Sequence, residues 1–471
     1  MQKSKVIDVL KTFEAKDYRR TKELLLSPFF NKNEELIPFL EYIQKHAKQL
    51  DSNKLDRKTV YKSLFPGQPY NEKHLGYLQS DLLKMVEKYI VHSAIESNEF
   101  DFHEHLAKDY HERKLDKHFN QNLKKAEDIQ VKNAYRDTHY YFNNYKLADI
   151  WNQHYERLQS RKFDNNLQKI IDNLDHFYLI HKLKASCEML SRQNIISGQY
   201  DIRLMPSILE YIEKNENHEP AVLIYHQIYL MFTEEENRHH FDQLIDLLKL
   251  YNKQFPFEET RDMYRYAINY AIKKVNKGNS EYFNDLFELY KILLEERLAY
   301  ESKYLSQFTY KNLIEVALRL KEYKWCENFM QTYSADLDPS LRENAYAYNL
   351  AKLYHHQGRY KEALRQSLMV EYNDVYYAIG TRILQLKIYF ETDDIDPLLS
   401  LLESFKIYLK RNKLISKSAK EPYFNLLKYL HKATRIPYGN KADFEALIYE
   451  IKTTKNVLSI NWLIDNLKNK F

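Results

Sequence analysis

Apolar positions in this chain recur at helical spacing almost throughout. In "SPFFNKNEELIPFLEYIQKH", Leu36, Phe39, Leu40 and Ile43 share one face, preceded by Asn31, Asn33, Glu34 and Glu35 in the pattern of a helix amino terminus. "SLFPGQPYNEKHLGYLQSDLLKMVEKYIV" sets a Pro-Gly turn ahead of a second amphipathic helix, roughly Asn71 to His92. The polar stretch "ESNEFDF" closes an N-terminal helical domain over residues 1–97. Long polar helices from His103 to about Leu158, followed by loop-like "QSRKFDNN", form a connector over 98–173.

From about Leu174 the pattern acquires a longer period. The first aromatic residues after successive polar breaks are Tyr200, Phe241, Tyr282, Tyr323 and Tyr360, at intervals of 41, 41, 41 and 37 residues. Gly198, Gly278 and Gly358 fall in alternate members of this series, 80 residues apart. Two helices and two turns fill such a period, which predicts an α-solenoid whose hairpins complete one another's cores. In "NAYAYNLAKLYHHQGRYKEALRQS", Gly358 is then where the first helix of a hairpin ends and the chain turns back.

That stretch resembles a tetratricopeptide repeat, whose pattern is W-x2-L-G-x2-Y, then A-x3-F, then P. Leu350, Ala351 and Tyr354 match the first helix, with a small residue in place of the family's glycine, and Gly358, Tyr360 and Ala363 match the turn and second helix. Ala347, Ser367 and Val375 depart from the pattern, standing where Trp, Phe and Pro are expected. A weaker echo in "LQLKIYFETDDIDPLL" sets Tyr389 against Tyr354 and Asp393 against Gly358. The resemblance implies an all-α fold in which a right-handed, tetratricopeptide-like superhelix of roughly six hairpins occupies 174–420. Leu350, Tyr354 and Ala363 would then pack between helices, and the small Ala351 and Ala363 would let helices approach closely. A helical cap over 421–471 would follow, with Pro422 breaking away from the preceding helix and Trp462 and Leu463 sealing the array. The opening and "LSPFFNKN" also resemble uncharacterised helical proteins of Bacteroidota, which implies no activity.

Composition agrees with a helical reading. Only 7 of 471 residues are glycine, against an average usage of about 7%, and a chain so poor in positive-φ residues seldom builds a β-sandwich or a doubly wound sheet. Tyrosine is abundant, 41 against 24 Phe. A Tyr ring can pack between helices while its hydroxyl stays at the wet rim, so these residues are read as packing and not as ligand-stacking groups. Cys187 and Cys326 are the only cysteines, too few for a disulfide framework or a four-Cys zinc site. The start lacks the apolar core of a signal peptide, and the most apolar run, Ala221 to Phe232, is too short to span a bilayer. The expected location is cytoplasmic.

Glycine spacing removes whole classes of chemistry. Gly67 and Gly76, the nearest pair, are nine positions apart, so GxGxxG, GxxxxGK[ST] and GxSxG cannot occur. Among 18 histidines, His103, His105, His111 and His118 cluster in "FDFHEHLAKDYHERKLDKHF", with His111 and His118 two turns apart on one helix face. No HExxH is present, and the cluster reads as an exposed polar face. Glu236 and His239 have the Glu-x-x-His spacing of helical di-iron sites, yet no second copy accompanies them, and a solvated turn explains them. No catalytic residue, cofactor or metal ligand is expected.

Charge is unevenly spread. Residues 201–250 hold 4 Lys+Arg against 10 Asp+Glu, a net of −6, whereas residues 401–471 hold 14 against 6, a net of +8. Within the basic end, Lys406, Lys410, Lys413 and Lys417 fall in a wedge of about 60° if one helix persists, spanning about 17 Å. Leu401, Phe405, Tyr408 and Ile415 lie roughly opposite. The row is either a partner-binding basic face or a solvated outer face partly neutralised by Glu403.

The expected function is a non-catalytic scaffold whose concave groove receives a protein or peptide. The alternative is contact with a nucleic-acid backbone through the lysine row; base readout is disfavoured because no coding positions recur from repeat to repeat.

Overall fold

In the computed structural model, which describes residues 1, 3–46, 53–158, 163–193, 198–215, 218–371 and 375–470 (backbone only at 53, 376, 417 and 418), helices form where the 3.6-residue pattern runs. The described residues contain 23 α-helices. Their only sheet is a two-residue antiparallel ladder pairing Tyr300 with Leu305 and Glu301 with Tyr304. The fold is all-α. Among the described residues no helix is long and apolar enough to cross a membrane. The chain divides into two compact units, Met1–Ser186 with Ile202–Leu223, and Cys187–Asp201 with Ile224–Phe471.

In the first unit, Val6, Ile7, Leu10, Phe39, Leu40 and Ile43 close a core with Leu75, Leu78 and Leu82 of the helix Glu72–Ser97. Asn71 caps that helix by accepting from the His74 N–H, and the Asn98 side chain caps the next helix, Glu99–Glu112, by accepting from the Asp101 N–H. The stretch expected as long helices from His103 to Leu158 is three elements: Glu99–Glu112, Asp116–Lys132 and Thr138–Arg157. His111 and His118 therefore lie on different helices. The break is at Lys114, whose φ of 61° turns the chain back.

The same turn recurs in the second unit. The helices Phe257–Asn276, Gln307–Arg319, Arg342–His356 and Val375–Glu391 each lead to a residue with positive φ: Gly278, Lys321, Gly358 and Asp393. After each, an N–H reaches back five residues to a carbonyl: Asn279 to Lys274, Glu322 to Ala317, Arg359 to Tyr354 and Asp394 to Tyr389. This is the Schellman closure, which satisfies carbonyls left open at a helix end. Gly358, with φ of 73° and nothing near its absent Cβ, serves the backbone conformation alone.

Each of the last three of these helices is followed by its hairpin partner, Tyr323–Tyr333, Tyr360–Leu368 and Ile395–Arg411 respectively. Ala351, Ala363, Leu384 and Ile388 form one buried cluster, with Tyr354 and Tyr360 packed against it. Leu350 is also buried. Not every tyrosine hydroxyl sits at a wet rim: Tyr266 donates to Glu188 at 2.9 Å and Tyr323 to the His356 carbonyl at 3.1 Å in half-buried places, but Tyr225 donates to Glu259 at 2.6 Å in the interior.

Pro422 does not break the chain away; it lies inside the helix Lys417–Ala433. A proline near a helix amino end removes a single donor from the ladder, and the carbonyl of Pro422 accepts from the Leu458 N–H. The positions expected as the ends of the connector and of the repeat array, 173/174 and 420/421, both fall within continuous helices, Asn166–Gln193 and Lys417–Ala433. Leu463 is fully buried and Trp462 packs against the same core.

Candidate functional site

The three helices Gln307–Arg319, Arg342–His356 and Val375–Glu391 end in the same motif, so positions counted back from it are equivalent. Six residues before the turn stand Glu315, Lys352 and Lys387; two before it stand Arg319, His356 and Glu391; ten before it stand Lys311, Tyr348 and Ile383. The offsets are 37 and then 35 residues. Alternate helices thus bring charged and aromatic side chains into one ladder.

Most of these side chains line a pocket of about 630 Å³, closed on another side by Val457, Ser459, Ile460, Asn461 and Trp462. Glu315 is its electrostatic centre. It pairs with Lys352 and accepts from Arg319 Nε at 3.1 Å. The Lys352 ammonium holds the Glu315 carboxyl far below the usual carboxylate range, against the opposing effect of burial.

Lys387 sits differently. No carboxylate of the described residues lies within ion-pair distance of it, and its ammonium is 5.0 Å from the centre of the Trp462 ring. Burial, with repulsion from Arg319 and Lys352, brings its pKa down to about 8, although Glu315 and Glu391 pull the other way. Burial also brings His356 down to about 4, so its imidazole is neutral near pH 7. Lys311 is lowered by burial and by Lys352.

Glu391 fixes the far wall. It accepts from His355 Nε2 at 2.8 Å and from Trp462 Nε1, tying the first turn of the C-terminal helix Ile460–Lys468 to the ladder. Burial pushes its carboxyl up, but hydrogen bonds from His355, Trp462 and Tyr360 outweigh this and leave it below its ordinary value. On the floor, Gly380 gives up its side chain to Tyr348, whose ring occupies the space a Cβ would need. The arrangement supplies positive charge and N–H donors around an aromatic wall.

The lysine row is not one helix face. The helix bearing Lys406 and Lys410 ends at Arg411, Lys413 lies in a bend, and Lys417 opens the next helix, its side chain lying outside the described residues. Asn412 ends the first helix in an extended conformation, and its Oδ1 accepts from the Leu414 N–H at 2.8 Å. Ser416 then caps the next helix by accepting from the Ala419 N–H. An Asn turn and a Ser cap, both favoured outside helix interiors, override the apolar period that runs through them. Lys406, Lys410 and Lys413 are exposed, and Lys406 lies 3.9 Å from Glu403.

Elsewhere, His103 Nδ1 meets Asn122 Oδ1 at 2.9 Å and His105 pairs with Glu104 at 3.1 Å. Glu236 pairs with Lys274 at 2.9 Å, and His239 lies in the first turn of Arg238–Tyr251. Sequence reading missed the pocket residues Glu315, Arg319, Lys352 and Lys387, though the interval of 37 residues between Tyr323 and Tyr360 is the offset that superposes Glu315 on Lys352. Comparison with known protein families, with curated proteins and with solved structures gives no match for this chain.

Proposed function

We propose that this protein is a non-catalytic, tetratricopeptide-like scaffold that binds a protein or peptide, and that the pocket between its three register-matched helices is where the partner inserts a side chain or chain end. One observation carries the reading: equivalent positions on three alternate helices converge on a single cavity with an aromatic wall. Beside apolar Ile383, Leu384, Val457 and Ile460 it is lined by Arg319, Lys352, Lys387 and Glu315, charges that a purely structural core would leave out.

The test is affinity purification from the native host, with and without nuclease. Wild type is compared with Lys352→Glu/Lys387→Glu and with Lys406→Glu/Lys410→Glu/Lys413→Glu. A protein partner that survives nuclease, persists in the triple variant and disappears in the pocket variant supports this reading. Nucleic acid recovered by wild type and lost only in the triple variant replaces it with backbone contact through the exposed lysines.

A further inference from the structure

The C-terminal helix Ile460–Lys468 presents an open amino terminus to the pocket. Its N-cap, Ser459, adopts φ of 52° and makes no side-chain cap, while Ile460, Asn461 and Trp462 line the cavity. The first intrahelical bond of that turn is from the Leu463 N–H to the Ser459 carbonyl. The N–H groups before it have no partner within the helix. Together with the macrodipole they act as roughly half a positive charge. Lys387, over the Trp462 ring, adds further positive charge on the same wall.

We propose that the pocket holds the phosphoryl group of a phosphate monoester, bound between Lys387 and the amino-terminal turn of the helix Ile460–Lys468. The inference rests on the pocket being the functional site, as above, but not on the ligand being part of a peptide.

Charge balance selects the class. Of the lining side chains, Arg319, Lys352 and Lys387 are cationic and Glu315 is anionic, three against one, leaving two positive charges. Glu391 lies outside this lining, with His355 and Trp462 on its oxygens, and its charge offsets part of the excess by its pull on Lys387. A phosphate monoester carries about −1.5 to −2 near neutral pH, whereas a carboxylate carries one charge. The tetrahedral oxyanion also matches a helix amino terminus, where several N–H groups point one way. Lys387, half-buried near Lys352 and Arg319 and with no carboxylate of the described residues within ion-pair distance, gains a direct counter-charge when an anion enters.

Covalent footprinting of the full-length wild-type chain tests this directly. A small acylating reagent near pH 7.5 modifies Lys387 faster than exposed lysines, because more of it is in the free-amine form. Labelling is followed by peptide mass spectrometry while inorganic phosphate or O-phosphoserine is titrated at constant ionic strength. The expected result is saturable protection of Lys387 by at least about 5-fold, the level reached once ligand exceeds its dissociation constant several-fold. Lys406 stays unchanged and acetate protects weakly. Equal labelling of Lys387 at all phosphate concentrations overturns the proposal, and equal protection by acetate overturns the assignment to phosphate. As a second measurement, phosphate raises the melting temperature of wild type but not of Lys387→Met. If a partner protein depends on the pocket yet phosphate neither protects Lys387 nor competes, peptide binding stands and the phosphoryl site falls.

Discussion

The Tyr348 hydroxyl lies against the backbone of Gly380, well inside the contact distance of any Cβ that might be placed there. Gly380 is helical, with no positive φ, so its role is close approach and not backbone freedom. Gly380→Ala should therefore destabilise by overpacking, about 1–3 kcal/mol, despite alanine's better helix propensity. Combining it with Tyr348→Ala should cost less than the sum of the two single changes, because the clash is then gone. Urea unfolding of the four members of this cycle checks the result; strict additivity would show that the two residues are uncoupled.

The turn residues make a second, opposite pair of predictions. Lys321 and Gly358 hold the same place in the Schellman closure, but only one is glycine. A non-glycine residue in the left-handed region costs about 1–2 kcal/mol, partly offset by glycine's greater unfolded-state entropy. Lys321→Gly should raise stability by some tenths to about 1 kcal/mol, and Gly358→Ala should lower it by about 1 kcal/mol. Asp393, the third member, is a less clean site, since its carboxylate pairs with Lys470. Thermal melting of both variants against wild type decides the signs.

These turns also explain how far the sequence could be read. The helical class and the hairpin around Gly358 were legible because apolar spacing and glycine each report a local preference. The turns at Lys321 and Asp393 carry no glycine, so the first was marked only by the distance between aromatic residues and the second only by a weak echo of the Gly358 hairpin. The lysine row misled for a related reason: Leu401, Phe405 and Ile415 keep helical phase across a turn that Asn412 and Ser416 create by side-chain hydrogen bonds. The pocket residues are spread over more than 180 positions, from Asn276 to Trp462, and nothing local in any of the segments marks them as neighbours.

Glu391 predicts how the C-terminal helix is held. Its carboxylate receives Trp462 Nε1–H and His355 Nε2–H, while Trp462 also meets Phe390 edge-on at 5.9 Å. Trp462→Phe keeps much of the ring packing and removes the donor, leaving a charge-assisted bond unmade in a partly buried place. A loss of about 1.5–3 kcal/mol is expected. Faster amide exchange should appear across Ile460–Lys468 before it appears in Arg342–His356. Uniform acceleration over both helices would show that the bond stabilises the whole unit and not the docking of its last helix.

His356 predicts an acid limb above the carboxylate range. Burial lowers its pKa from 6.5 to about 4, with His355, Lys352 and Arg319 adding to the effect and Glu315 opposing it. Above pH 6.5 the imidazole is neutral in both folded and unfolded chains and contributes no pH dependence. As pH falls from 6.5 toward 4, the unfolded chain takes up the proton and the folded one resists, so the folded state loses stability, by up to about 3 kcal/mol. Glu315 and Glu391, both held below their ordinary values, add their own losses only below about pH 4.5, as the unfolded carboxylates protonate first. His356→Gln, neutral at every pH, should flatten the stability profile between pH 6.5 and 4.5 and leave the steeper fall below it. Denaturant titrations at half-unit pH steps separate the two windows, and an unchanged slope in the upper one would show that His356 is protonated in the folded protein.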